Sequence, residues 1–123
     1  MIYTSYFGII KDVKNPIAIC GKSPDWYMGP QYKKLAPKYW FFDMYKKGEI
    51  GKEEYTICFK REVLKKLNPI EVKKELFNKY PKEEIITLMC FETPDLFCHR
   101  QLVSAWLNSY GIKVKEFYRS VDG

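Results

Sequence analysis

Ile85-Ile86-Thr87-Leu88-Met89-Cys90-Phe91 is the stretch whose reading decides the fold. Every position but Thr87 is apolar, and the run does not alternate. A strand that leaves one face to water alternates; a strand covered on both faces reads as a continuous apolar run and belongs at the centre of a sheet. Downstream, Thr93-Pro94-Asp95 has the composition of a turn. Cys98 to Tyr110 then places Leu102, Val103, Trp106 and Leu107 on one helical face, and Gly111 stands where a helix C-cap needs it. Ile112 to Phe117 alternates as a half-buried edge strand. Strand, turn, helix and strand in this order make a βαβ unit, which requires parallel pairing.

Working upstream, Pro69 with Asn68 as its cap starts a helix that runs to Lys79 with Ile70, Val72, Leu76 and Phe77 apolar, and Pro81 ends it. Lys52 to Leu67 is a helix by the spacing of Tyr55, Cys58, Phe59, Val63, Leu64 and Leu67, and Tyr39 to Lys47 is another, ended by Gly48. Gly21 to Pro37 carries Gly21, Pro24, Gly29, Pro30 and Pro37 and reads as a long loop; its aromatics either pack on the core or serve a site. Ile17 to Cys20 is a short buried-type strand, and Ile2 to Ile10 is a β-rich first strand in which Gly8 marks a bulge or a close backbone approach. The last two or three residues are expected to fray. The sum is an α/β fold: a small, mostly parallel, Rossmann-like sheet with helices on both faces, formed by residues 1–123 as one domain.

No stretch of about 18 apolar residues is present, which excludes a membrane-spanning helix. The start lacks the basic region and apolar run of a signal peptide, so a cytoplasmic protein is expected. Four cysteines, Cys20, Cys58, Cys90 and Cys98, match no framework of a small secreted module and are expected to be reduced thiols, three of them core residues, Cys90 among these. The net charge of +6 favours anionic partners. Most of that excess is lysine among glutamates on predicted helices, and the arginines are only Arg61, Arg100 and Arg119, so a solvated surface explains it as well as nucleic-acid binding does.

Ligands of an open parallel sheet bind beyond the carboxyl ends of its strands. Glu92 to Arg100 occupies that place. Arg100 can fork two donors onto a phosphate or carboxylate, and with Cys98 at a helix start it makes a candidate anion site. His99, the single histidine, can titrate near neutrality. A helix start beside cations would lower the pKa of Cys98, and Glu92 can act as a base. Glu92, Cys98, His99 and Arg100 are therefore the candidate catalytic residues, with Thr4, Ser5, Trp26 and Tyr55 expected to line the pocket. The structural alternatives are a buried, inert Cys98 and an ion pair between Glu92 and Arg100. No metal site is expected: adjacent helical residues such as Cys98 and His99 point about 100° apart, and Cys90, Cys98 and His99 match no standard zinc spacing. A tyrosine-phosphatase loop is excluded because the arginine follows Cys98 by two residues.

The run Leu88-Met89-Cys90-Phe91-Glu92, followed by Phe97-Cys98-His99-Arg100, Val103 and Trp106-Leu107, resembles the domain of unknown function 488 family. The opening Ile2 to Phe7, Leu35-Ala36-Pro37, Tyr45 to Ile50 and Glu54-Tyr55 extend the resemblance over essentially the whole chain. It implies a small α/β domain of the kind found in bacteria, archaea and phages, with a shared pocket at Glu92 and Cys98-His99-Arg100. It supplies no substrate and no cofactor. The expectation is a pocket for a phosphate-bearing small molecule or nucleotide, in an enzyme of nucleotide or nucleic-acid metabolism. The alternative is a non-catalytic nucleotide-sensing or nucleic-acid-binding module. A thiol or metal redox protein is the least favoured class.

Overall fold

The computed structural model describes residues 1–118; the expected fraying of the last residues lies outside them. Four strands, β1 (Ile2–Tyr6), β2 (Pro16–Ala18), β3 (Ile86–Cys90) and β4 (Val114–Glu116), form one sheet in the order β2-β3-β1-β4. All three pairings are parallel. Every residue of β3 is buried, as its unbroken apolar run requires, and it lies between β1 and β2. The sheet edge falls to β4, the alternating strand.

The helices are α1 (Tyr39–Lys46), α2 (Lys52–Glu62), α3 (Pro69–Phe77) and α4 (His99–Ser109). The two faces of the sheet are covered unequally. Ile2, Ile17, Ile86, Leu88 and Val114 form one core with buried residues of all four α-helices, including Phe41, Phe59, Leu76 and Leu107. Their neighbours in the strands, Ala18 and Met89, point the other way and pack with Phe7, Cys20 and Tyr27. That second face is closed by the short 3-10 helix Phe7–Asp12 and the loop carrying Tyr27.

Several boundaries differ from the sequence reading, among them three with a local cause. The first strand ends at Tyr6, not Ile10, because Phe7–Asp12 turns into the 3-10 helix. Gly8 marks a close approach: a Cβ there would lie 2.8 Å from the Tyr6 ring. The second strand begins at Pro16 and stops at Ala18. Helix α2 ends at Glu62, because Val63 (φ −117°, ψ −68°) leaves helical geometry and Leu64–Lys66 continues as a 3-10 turn. The loop of residues 21–37 is ordered around Tyr27, Tyr32 and Leu35, all buried, while Trp26 and Met28 face solvent. No helix among the described residues is long and apolar enough to cross a membrane.

Candidate active site

Parallel strands end on the same side, and a cavity of about 740 Å³ opens there, beyond the ends of β2 and β3. Cys20, Gly21 and Lys22 follow β2; Cys90 ends β3, and Phe91 and Glu92 follow it; Tyr39, Phe42, Tyr45 and Lys46 come from α1 and Tyr55 from α2; Phe97, Cys98 and His99 enter α4. The walls are largely aromatic. Tyr45, Tyr55 and Phe97 meet one another with ring centroids 5.0–5.9 Å apart, edge-on or tilted, as ring quadrupoles prefer. The Lys52 ammonium lies 5.1 Å from the centroid of the Phe97 ring.

The turn between β3 and α4 is tied by a Thr93 hydroxyl bond to Asp95 and by the Leu96 amide on the Thr93 carbonyl. It delivers Cys98 as the N-cap of α4, in extended conformation (φ −147°, ψ 149°). Cys98 is therefore not helical, and the separation of about 100° that held it apart from His99 does not apply. The Cys98 sulfur lies 2.6 Å from that of Cys90, and His99 Nδ1 is 3.4 Å from Cys90 and 3.8 Å from Cys98. His99 Nε2 is 2.8 Å from the Ile19 carbonyl. A carbonyl can only accept, so Nε2 carries a hydrogen, and in the Nε2–H tautomer the Nδ1 lone pair faces the two sulfurs. All three residues are buried, and Phe59 packs on the His99 ring.

This arrangement extends one expectation and corrects another. Cys90 is buried in the core, as expected, and also lines the cavity beside Cys98. The Cys98 thiol is not acidified by the helix start. Its proximity to Cys90 and its burial push its pKa well up, against the opposing effect of His99.

Arg100 stands elsewhere. It is fully buried beneath the floor, with Nε and Nη2 forked onto the Glu116 carboxylate at 3.1 and 3.0 Å and Nη1 on the Glu92 carbonyl at 2.7 Å. Burial alone would lower its pKa; the Glu116 carboxylate, with Cys98 and Cys90 nearby, outweighs that and holds it up. The anion that meets this cation is Glu116 of β4, so the expected anion clamp at Arg100 gives way to a structural ion pair. Thr4 serves the same pair through a 2.7 Å hydroxyl bond to Glu116, and Ser5 lies against the Phe117 carbonyl. Trp26 packs on Phe7 and Tyr27. None of these three lines the cavity, whereas Tyr55 does. The Glu92 carboxylate reaches the cavity but is bound to Lys46 at 2.9 Å, which raises the Lys46 pKa.

A family model described as the active DUF488-N3 subclade matches residues 7–111, most of the chain. The chain belongs to the DUF488 family. No curated protein and no solved structure gives a significant match. The DUF488 match spans the whole cavity, from the end of β2 through α4, and leaves Glu116 of the ion pair just beyond it. Within this DUF488 chain, sequence reasoning named Glu92, Cys98, His99 and Tyr55 and missed Lys46, Tyr45, Phe97 and the part played by Cys90. The missed signal was that Cys90 is the last residue of the central strand and so faces the sheet's carboxyl end.

Proposed function

We propose that the cavity is the active site of an enzyme acting on a nucleotide, free or within nucleic acid. The single observation that carries this reading is a cavity with aromatic walls, cations at its side and a thiol–imidazole group on its floor. Planar bases stack on aromatic side chains with about 1–3 kcal/mol each, and the Tyr45, Tyr55 and Phe97 rings offer such walls. Lys22 and Lys46 replace Arg100 as the cations for a phosphate. Glu92 holds Lys46 in place and would exchange that contact for one to the ligand. The reaction would occur at Cys90, Cys98 and His99, on the floor of the cavity.

The test is a thermal-shift and calorimetric screen of the purified protein against nucleosides, nucleotides and short oligonucleotides, with mass spectrometry of the recovered ligands. A nucleotide should bind, Lys46→Ala and Phe97→Ala should each weaken it by about tenfold, and Cys98→Ala should keep binding but abolish conversion. A bound but unconverted nucleotide, unaffected by Cys98→Ala, would support the sensing module instead. A screen empty at millimolar concentration refutes both.

A further inference from the structure

Cys90, Cys98 and His99 converge on one point. The three candidate donor atoms, two sulfurs and Nδ1, lie within 4.8 Å of one another, and all belong to buried residues. We propose that these three side chains bind one zinc-like divalent ion, with its fourth coordination position open to the cavity. This inference goes beyond the substrate reading and does not depend on which ligand enters.

The geometry supports it at three points. A tetrahedral zinc about 2.3 Å from sulfur and about 2.0 Å from nitrogen has sulfur–nitrogen edges of about 3.5 Å; the observed edges are 3.4 and 3.8 Å. The sulfur–sulfur edge, 2.6 Å here, opens to about 3.8 Å when both sulfurs hold a shared ion. The second point is the His99 ring. A ligating histidine typically donates its other N–H to a carbonyl or carboxylate, which fixes tautomer and orientation, and Nε2 on the Ile19 carbonyl at 2.8 Å does this. The third point is the open side. The same three residues line the cavity, so an ion held by two cysteines and a histidine keeps a free position for water or substrate, as catalytic rather than structural zinc sites do.

The competing outcome is a Cys90–Cys98 disulfide. It would remove both thiol protons and leave the buried Nδ1 lone pair with nothing to accept, whereas an ion uses it. Binding releases one proton from each thiol, Zn²⁺ plus two R–SH giving Zn(SR)₂ plus two H⁺, so affinity rises with pH. A thiolate pair with imidazole selects soft and borderline ions over magnesium or calcium.

The experiment uses the intact chain, reduced and stripped with chelator, then titrated with Zn²⁺ against a chromophoric competitor and with Co²⁺ by absorption. The expected result is one ion per chain, a sulfur-to-cobalt charge-transfer band, and protection of two of the four thiols from an alkylating reagent, reversed by chelator. Cys90→Ser, Cys98→Ser and His99→Ala should each weaken zinc binding by more than the roughly 10–100-fold of an outer-shell loss, while Cys58→Ser, at a residue that does not line the cavity, leaves it unchanged. Thiol protection in the wild-type chain decides the matter even where a variant fails to fold. Absence of the cobalt band, zinc binding unchanged in Cys90→Ser and Cys98→Ser, or recovery of a Cys90–Cys98 linked peptide from unreduced protein overturns the proposal.

Discussion

Arg100 carries a full positive charge in a place with no solvent, and Glu116 makes that tolerable. A buried pair of this kind adds little net stability over apolar residues, but breaking it strands a charge, which costs about 3–5 kcal/mol. Arg100→Ala should therefore lower stability by about that amount in urea denaturation, and Arg100→Lys should recover only part, since an ammonium cannot fork onto both Glu116 oxygens and also reach the Glu92 carbonyl. An Arg100→Ala protein of near-native stability would show that the pair is dispensable. The sequence made Arg100 conspicuous as a cation in a helix first turn, yet its partner stands sixteen residues on, in β4. No periodicity reports such a pairing. The same holds for Lys46 and Glu92, brought together across 46 residues by the packing of α1 over the end of β3. Residue types were legible at Glu92, Cys98 and His99; their pairings were not.

At the scale of elements, α4 is fixed at both ends. Its start is the turn that delivers Cys98, and its end is a Schellman motif: the Ile112 amide bonds the Leu107 carbonyl, the Gly111 amide bonds Asn108, and Ile112 joins Leu107 in the core. Gly111 takes φ +79°, in the left-handed region, where a Cβ costs roughly 1–2 kcal/mol. Gly111→Ala should lower the urea midpoint accordingly without altering the cavity, some ten residues away along the helix axis; an unchanged midpoint would contradict the strain argument. This stop was readable because Gly111 acts locally. The end of α2 was not. Val63, Leu64 and Leu67 continue the helical spacing, and only the backbone turn at Val63, which places Leu64 in the core through a 3-10 turn, breaks it.

For the molecule as a whole, buried tyrosines set an alkaline limit. Burial, with the neighbouring Tyr80, pushes the Tyr27 hydroxyl to about 12. Burial also raises Tyr32, with help from Glu75, and Tyr55, with help from Cys98. A pKa raised on folding gives stability that is complete below the unfolded value of about 10 and is lost as pH climbs through the folded value. Stability should fall from about pH 10 upward, each tyrosine adding a slope of about 1.4 kcal/mol per pH unit within its window. Tyr27→Phe, which gives up hydroxyl bonds to the Pro16 and Pro30 carbonyls, should start less stable and show a shallower decline in urea melts across this range. An equal slope in both proteins would place the titration elsewhere. The sheet itself was legible, since the apolar run of β3 depends on composition alone. The concentration of all four α-helices in one core was not, because short strands such as β2 do not reveal which face they bury against what.

The position of β1 has a consequence for how the chain comes to be folded. Its two neighbours, β3 and β4, begin 84 and 112 residues after Ile2. As this stretch is synthesised, β1 emerges with no strand to join until β3 has followed, and β4 brings the carboxylate that neutralises Arg100. Contacts this distant in sequence are slow to form. A ribosome-bound chain would thus carry an unpaired β1 and a half-built core until β3 and β4 have emerged, which makes the nascent polypeptide, rather than the finished fold, the form most exposed to chaperones and proteases.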